Sequence, residues 1–390
     1  MSARVPATSA KRIPSLDGLR ALSISLVLIG HLQGTRYFLS ATTLQPLGDL
    51  GNLGVRVFFI ISGFLITHLL LREQANTGSI SLRAFYARRF LRIFPAFYVF
   101  VVITWLLAIM GIVQLDRSDL LHAVTYTMNY HETEHFTVRH LWSLSVEEQF
   151  YVLWPVTLVI LGVTRSSRVL VATLVAVPIL RIAIFGRFPG SEEAIRTWFQ
   201  TVCDALATGC LLAIVLPTVA HAAWWHRLVR SRLLIFLPAA IVIANLQGNH
   251  PKVFWLVCIP FMNVAIALLI ARYVQCSDLP AGRVLNSKPF VAVGVASYSL
   301  YLWQQLFLIQ SRSPQSLMQT FPANLIMAIA ASAISYNLIE RPFLHLKTLF
   351  QARREAARAP RPEPALDSTA GLVRPLAPQF SSSETLSAPP

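Results

Sequence analysis

Charge is what this sequence lacks. Only 13% of its 390 residues are Asp, Glu, Lys or Arg, about half the ~25% of an ordinary soluble domain. That shortage excludes the polar coat of a globular surface. Long uncharged runs recur from Leu22 to Leu346, so the solvent they are built for is lipid. Acidic charge is scarcer still, 18 residues against 33 basic ones, for a net charge of +15. The four cysteines, Cys203, Cys210, Cys258 and Cys276, lie in or beside apolar runs and not in polar loops, which excludes a disulfide framework. No polar stretch between the apolar runs is long enough to house an extended soluble domain, and no internal repeat is visible.

What is there is a series of apolar runs, at 19–38, 53–71, 94–115, 149–163, 169–184, 199–215, 233–246, 253–273, 290–310 and 323–338. They predict an all-α polytopic bundle of about ten spans. If the first run leaves the cytoplasm, the inner segments collect Lys11, Arg12, Arg72, Arg83, Arg88, Arg89, Arg92, Arg165, Arg168, Arg227 and Arg230. The outer segments hold fewer, with Asp116, Asp119, Glu132 and Glu134 in one of them. This bias places both termini in the cytoplasm, and it accounts for the basic excess as topology, with no nucleic-acid partner implied. Asp17 and Arg20 interrupt the first run and no small-residue cleavage site follows, so the first helix is expected to remain. The expected organisation is a cytoplasmic segment 1–14, an integral-membrane domain 15–346, and a basic, Pro-rich tail 347–390 that is disordered and cytoplasmic.

Ionisable groups inside spans are costly and therefore point to function. Arg20 and His31 are eleven residues apart, three helical turns plus about 20°, so they share one face about 16 Å apart. A guanidinium at the membrane mouth suits phosphate recognition, and a buried neutral imidazole suits a general base. A snorkelling Arg20 and a His31 that merely bonds a neighbouring helix is the plainer alternative. Ser143, Glu147 and Tyr151 recur every four residues and share a face, presenting a carboxylate between two hydroxyls. Such a carboxylate can orient an imidazole or bind a sugar hydroxyl, while Glu148 fits equally as an acid at a helix N-terminus. Arg88 and Arg92 are four apart, a spacing that forms a fork for one anion or anchors the loop on the inner side.

His131-Glu132-Thr133-Glu134-His135 satisfies the zinc-hydrolase pattern by letter. It lies in a polar outer loop without a helical apolar face or a clear third ligand beyond His140, so no metal is expected. Gly248-Asn249-His250 reads as a turn between helices.

Taken together, four blocks resemble the acyltransferase 3 family of integral-membrane O-acyltransferases. They are Leu16-Asp17-Gly18-Leu19-Arg20-Ala21 followed by His31, the run from Gly54 to Ile66, the run from Arg88 to Pro95, and the run from His140 to Pro155. Tyr298 to Trp303 and Glu340-Arg341-Pro342 add to the resemblance, which extends from about Ser15 to Pro342. It implies transfer of an acyl group, commonly acetyl, from cytoplasmic acyl-CoA to a hydroxyl, often on an exported or cell-surface glycan. The setting it implies is the bacterial cytoplasmic membrane. Acyl-CoA would be a co-substrate, with no permanently bound cofactor. By matching motif positions, His31 and Glu147 would be catalytic, and Asp17, Arg20, Arg88, Arg89, Arg92, Ser143 and Tyr151 would bind acyl-CoA or acceptor. Gln304 stands where family members often carry a histidine, and the esterase-like domain that some members append is not expected here. A multi-pass transporter or flippase of a glycan or lipid-linked substrate is the alternative, since carriers also have many spans with buried polar residues.

Overall fold

The computed structural model describes residues 13–33, 35–39, 49–132, 135–308 and 319–358. The N-terminal dozen residues, most of the Pro-rich tail, and Thr133 and Glu134 of the histidine motif lie outside the described residues. The chain divides into two units, Met1–Lys347 and Thr348–Pro390, and the principal helices belong to the first.

Among the described residues every regular element is helical. The principal helices are α1 (Pro14–Leu32), α2 (Leu50–Thr77), α3 (Leu82–Ile109), α4 (Arg117–Val124), α5 (Leu141–Arg187), α6 (Phe199–Val219), α7 (Leu237–Asn245), α8 (Ile259–Gln275), α9 (Lys288–Phe307) and α10 (Ala323–Ser335). Among the described residues seven helices are long and apolar enough to cross a membrane, as a multi-pass bundle requires. Their ends follow local chemistry. Pro14 opens α1 with its fixed φ. The Asp49 carboxylate accepts from the Asn52 amide at 3.0 Å and the Ser81 hydroxyl from the Ala84 amide at 3.4 Å, capping α2 and α3. Leu106, Val152, Ile160, Val175 and Val264 face outward, which is costly in water and costs nothing against acyl chains.

Two expected spans merge in α5, which is folded back on itself. Gly162 has φ 69° and ψ 172°, and the Ser166 hydroxyl lies 3.4 Å from the Thr157 carbonyl. Residues nine apart on a straight helix would be about 13 Å apart, so the chain reverses at Gly162. Two further expectations are modified. The run 233–246 yields only the nine-residue α7, about 14 Å long and short of a bilayer core. The run 290–310 yields the 20-residue α9, which is not among the seven.

Helix α1 lies between α2 and α9, and α2 packs along α6. A Cβ on Gly209 of α6 would sit 2.0 Å from the Ile60 carbonyl oxygen of α2, so only glycine permits this approach. Gly209→Val is expected to lower stability by at least about 1–3 kcal/mol, read as a drop in Tm of the detergent-solubilised protein.

Between α3 and α5 the connecting segment is fastened by a buried carboxylate. Asp119 accepts from His131 Nε2 at 3.0 Å, His135 Nδ1 at 2.6 Å and the Asp116 amide at 2.8 Å. Burial pushes its carboxyl up, but the hydrogen bonds from Asp116 and His135 outweigh this and hold it below the ordinary value. The fastening is therefore complete above the unfolded carboxyl pKa of about 4 and is lost as pH falls through the depressed folded value. Asp119→Asn leaves one imidazole without its acceptor and is expected to cost about 1–3 kcal/mol. Faster hydrogen exchange across residues 116–138 at neutral pH would register it.

Candidate active site

Helix α1 runs unbroken from Pro14 to Leu32, so the separation of Arg20 and His31, about 16 Å, is preserved. They border different pockets. His31 lies in a pocket of about 330 Å³ at the end of α1, with Phe136, His140, Trp142, Tyr301 and Gln305 around it. Arg20 lies in a tighter pocket of about 80 Å³, together with Arg89, Arg92, Glu147 and Tyr151.

In the first pocket His31 Nδ1 is 2.8 Å from Gln304 Oε1. An amide oxygen can only accept, so Nδ1 carries the proton and Nε2 keeps its lone pair. Gln304 is thus the side chain that sets the tautomer of His31, although it stands where a relay histidine was the family pattern. His140, which the sequence reading did not single out as catalytic or binding, borders the same pocket. Its Nε2 donates to the Leu302 carbonyl at 3.0 Å, and its Nδ1 is buried without a hydrogen-bond partner. The signal was present in the sequence as the first residue of the 140–155 block, but nothing there distinguished it from a helix-end residue.

The second pocket gathers three guanidiniums and one carboxylate. Arg20 is 3.5 Å from Asp17. The Arg89 guanidinium lies over the Tyr151 ring, 3.8 Å from its centroid, and its Nε is buried with no partner. Glu147 accepts from the Ser62 hydroxyl at 2.8 Å and the Tyr151 hydroxyl at 3.0 Å. Ser143 borders the same pocket and is hydrogen-bonded to Tyr301. The Ser143, Glu147, Tyr151 face is therefore assembled as the four-residue spacing requires.

Two features of the expected site are rearranged. Arg88 does not form a fork with Arg92. It pairs with Glu73 of α2 at 2.8 Å, and Arg89 takes its place beside Arg92 in the pocket. Glu147 does not approach His31, because it lies with the arginines and its oxygens are occupied by Ser62 and Tyr151. Among the described residues it is the one carboxylate beside the three guanidiniums that border this pocket.

The pockets are neighbours. Val55 and Tyr301 border both. A third cavity of about 540 Å³ also reaches Val55 and shares Gln33, Asp49, Asn52, Trp142 and Arg196 with the His31 pocket. Three chambers thus meet around Val55: a small cationic one on the Arg20 side, a central one with the imidazole, and a large one beside it.

Asp116, Asp119 and His135 bring possible metal-ligand atoms within 4.8 Å of one another. Asp119 already accepts from two imidazoles and two backbone amides, and the segment from His131 to Glu132 is not helical. The two-histidine helical face of a zinc hydrolase is therefore not formed.

A family model described as an acyltransferase domain matches residues 13–339. The chain is 30% identical to the O-acetyltransferase OatA of Staphylococcus aureus over 86% of its own length and 57% of the relative's. It is 27% identical to the putative peptidoglycan O-acetyltransferase YrhL of Bacillus subtilis, over 85% of this chain and 54% of that one. It is also 30% identical to the putative O-acetyltransferase SACOL0978 of Staphylococcus aureus, over 85% and 57%. The chain spans a little over half the length of these curated relatives. No solved structure matches it.

Proposed function

Because the chain belongs to the acyltransferase 3 family, we propose that it moves an acyl group, most simply acetyl, from cytoplasmic acyl-CoA to a hydroxyl on an exported or cell-surface glycan. It does so in the bacterial cytoplasmic membrane with both termini inside. The observation that carries this reading is the placement of His31. Its tautomer is set by Gln304, and it stands about three turns along the same face of α1 from a pocket of three arginines.

Hydroxyl acylation needs a base for the alcohol and a thioester held against it. Arg20, Arg89 and Arg92 hold a phosphate of the donor, since guanidiniums bind phosphate through paired N–H groups. At about 80 Å³ their pocket admits one charged end of the donor and not the whole nucleotide. The roughly 16 Å between Arg20 and His31 suits an extended pantetheine arm. The arm passes Val55 and Tyr301, which border both pockets. At His31 the Nε2 lone pair takes the proton of the acceptor hydroxyl while its oxygen attacks the thioester carbonyl carbon. The carbon–sulfur bond then breaks, and the CoA thiolate takes the proton from the imidazolium. Gln304 holds the ring in register and accepts from Nδ1 throughout.

The test is label transfer from radiolabelled acetyl-CoA to an envelope-glycan extract by the full chain in lipid nanodiscs. Transfer with stoichiometric release of CoA thiol supports the reading. A folded protein that consumes no acyl-CoA, but exchanges labelled glycan across proteoliposomes, would replace it with the transporter.

A further inference from the structure

The 540 Å³ cavity carries a feature that donor binding and the imidazole do not use. Its floor has more cationic than anionic groups. Arg56 of α2 and Arg181 of α5 both border it, and the carboxylate between them is that of Asp204. Arg181 Nη2 donates to Asp204 Oδ1 at 2.6 Å and its Nε to the Thr201 carbonyl at 2.7 Å. Asn263 Nδ2 donates to Asp204 Oδ2 at 3.0 Å, and Arg56 Nη1 donates to Asn263 Oδ1 at 3.0 Å. Arg56 therefore reaches the carboxylate only through an amide. Arg181 is 1% exposed, and its Nη1 is buried without a partner. At the rim Arg196 is already paired with Asp49 at 3.0 Å. The floor thus holds two guanidiniums against one carboxylate at membrane depth, where an uncompensated charge costs several kcal/mol.

Such a surplus persists where an anion completes it. The cavity's size, about 540 Å³, is that of a small-molecule site. Trp142 and Trp255 on its walls offer the flat apolar faces that accompany a few convergent polar groups in such sites. It shares Gln33, Asn52 and Trp142 with the His31 pocket, so a molecule seated in it can extend a neutral hydroxyl toward the imidazole while its charge stays on the arginines.

We propose that this cavity is the acceptor subsite and that it takes an anionic sugar, whose carboxylate or phosphate is bound by Arg56 and the free Nη1 of Arg181. The assignment of the occupant as acceptor rests on the acyltransferase reading, whereas the anion preference of the cavity does not.

The experiment is a tryptophan-fluorescence titration of the full chain in nanodiscs with three probes: digalacturonate, N-acetylglucosamine 1-phosphate and neutral chitobiose. At least one acidic probe is expected to bind ten-fold or more tightly than chitobiose, and the stronger of the two identifies a carboxylate or a phosphate. Arg56→Gln is expected to bring acidic binding down to the chitobiose level, and Arg56→Lys to retain part of the preference. Equal affinity for all three probes in the native chain would overturn the proposal without recourse to any variant, as would a preference unchanged in Arg56→Gln. Label transfer from acetyl-CoA, run on the same preparation, separates the two readings. Transfer without anion preference sinks only the subsite, and anion preference without transfer sinks the acyltransferase.

Discussion

His31→Ala is expected to reduce acyl transfer by roughly 10²- to 10⁴-fold, the contribution of a positioned general base. The loss corresponds to about 3–5 kcal/mol of transition-state stabilisation. It falls on kcat, because the variant keeps the arginine pocket proposed to hold the donor. The imidazole is half-buried, and among the described residues its side-chain hydrogen bond is to Gln304. Its removal should leave the bundle intact, with unchanged helical circular dichroism and a monodisperse elution profile. Single-turnover transfer from labelled acetyl-CoA in nanodiscs is the measurement. A folded His31→Ala that transfers at the native rate would remove the imidazole from the chemistry and direct attention to His140, whose buried Nδ1 lies in the same pocket.

Arg89→Ala is expected to cost roughly 10- to 150-fold in kcat/KM for acyl-CoA, through KM. This is the size of one or two hydrogen bonds to a charged partner, about 1.5–3 kcal/mol. Arg89 is held flat against Tyr151 with its Nε unpaired, so its donors are oriented before the ligand arrives. The neighbouring Arg88→Ala is expected to change KM by no more than a few-fold, because that side chain is engaged with Glu73 at the pocket's exterior and such a partly exposed pair contributes about 0–1 kcal/mol. Steady-state kinetics of the two variants over a range of acetyl-CoA concentrations decides which arginine faces the donor. If Arg88→Ala raised KM more than Arg89→Ala, the assignment of the pocket would be reversed.

These two predictions also mark how far linear spacing carried. The shared face of Arg20 and His31 was readable because both lie on one helix, and helical geometry converts eleven residues into a distance without further information. The face of Ser143, Glu147 and Tyr151 was readable for the same reason. Arg88 and Arg89 were not distinguishable, because adjacent residues on α3 point to different neighbours. Glu73 on α2 takes the first and Tyr151 on α5 stacks with the second, and neither partner is local in sequence. Glu147 was placed among the catalytic residues by its motif position, with the orienting of an imidazole and the binding of a sugar hydroxyl both open to it. Its actual surroundings depend on how deeply α5 enters beside α2.

The solvent and the elements were legible in composition and pattern alone. Scarce charge and recurrent apolar runs leave helices in lipid as the arrangement that satisfies the backbone, and the motif blocks carried the family. The reversal of α5 at Gly162, the setting of the His31 tautomer by Gln304 from 273 residues away and the meeting of Arg56 with Asn263 across 207 residues come from the packing of distant helices. Hydrogen-bond partners of this kind are chosen by which helix packs against which. That choice is made by close approaches such as Gly209 against Ile60, which depend on the summed shapes of whole helix faces and not on any spacing along the chain.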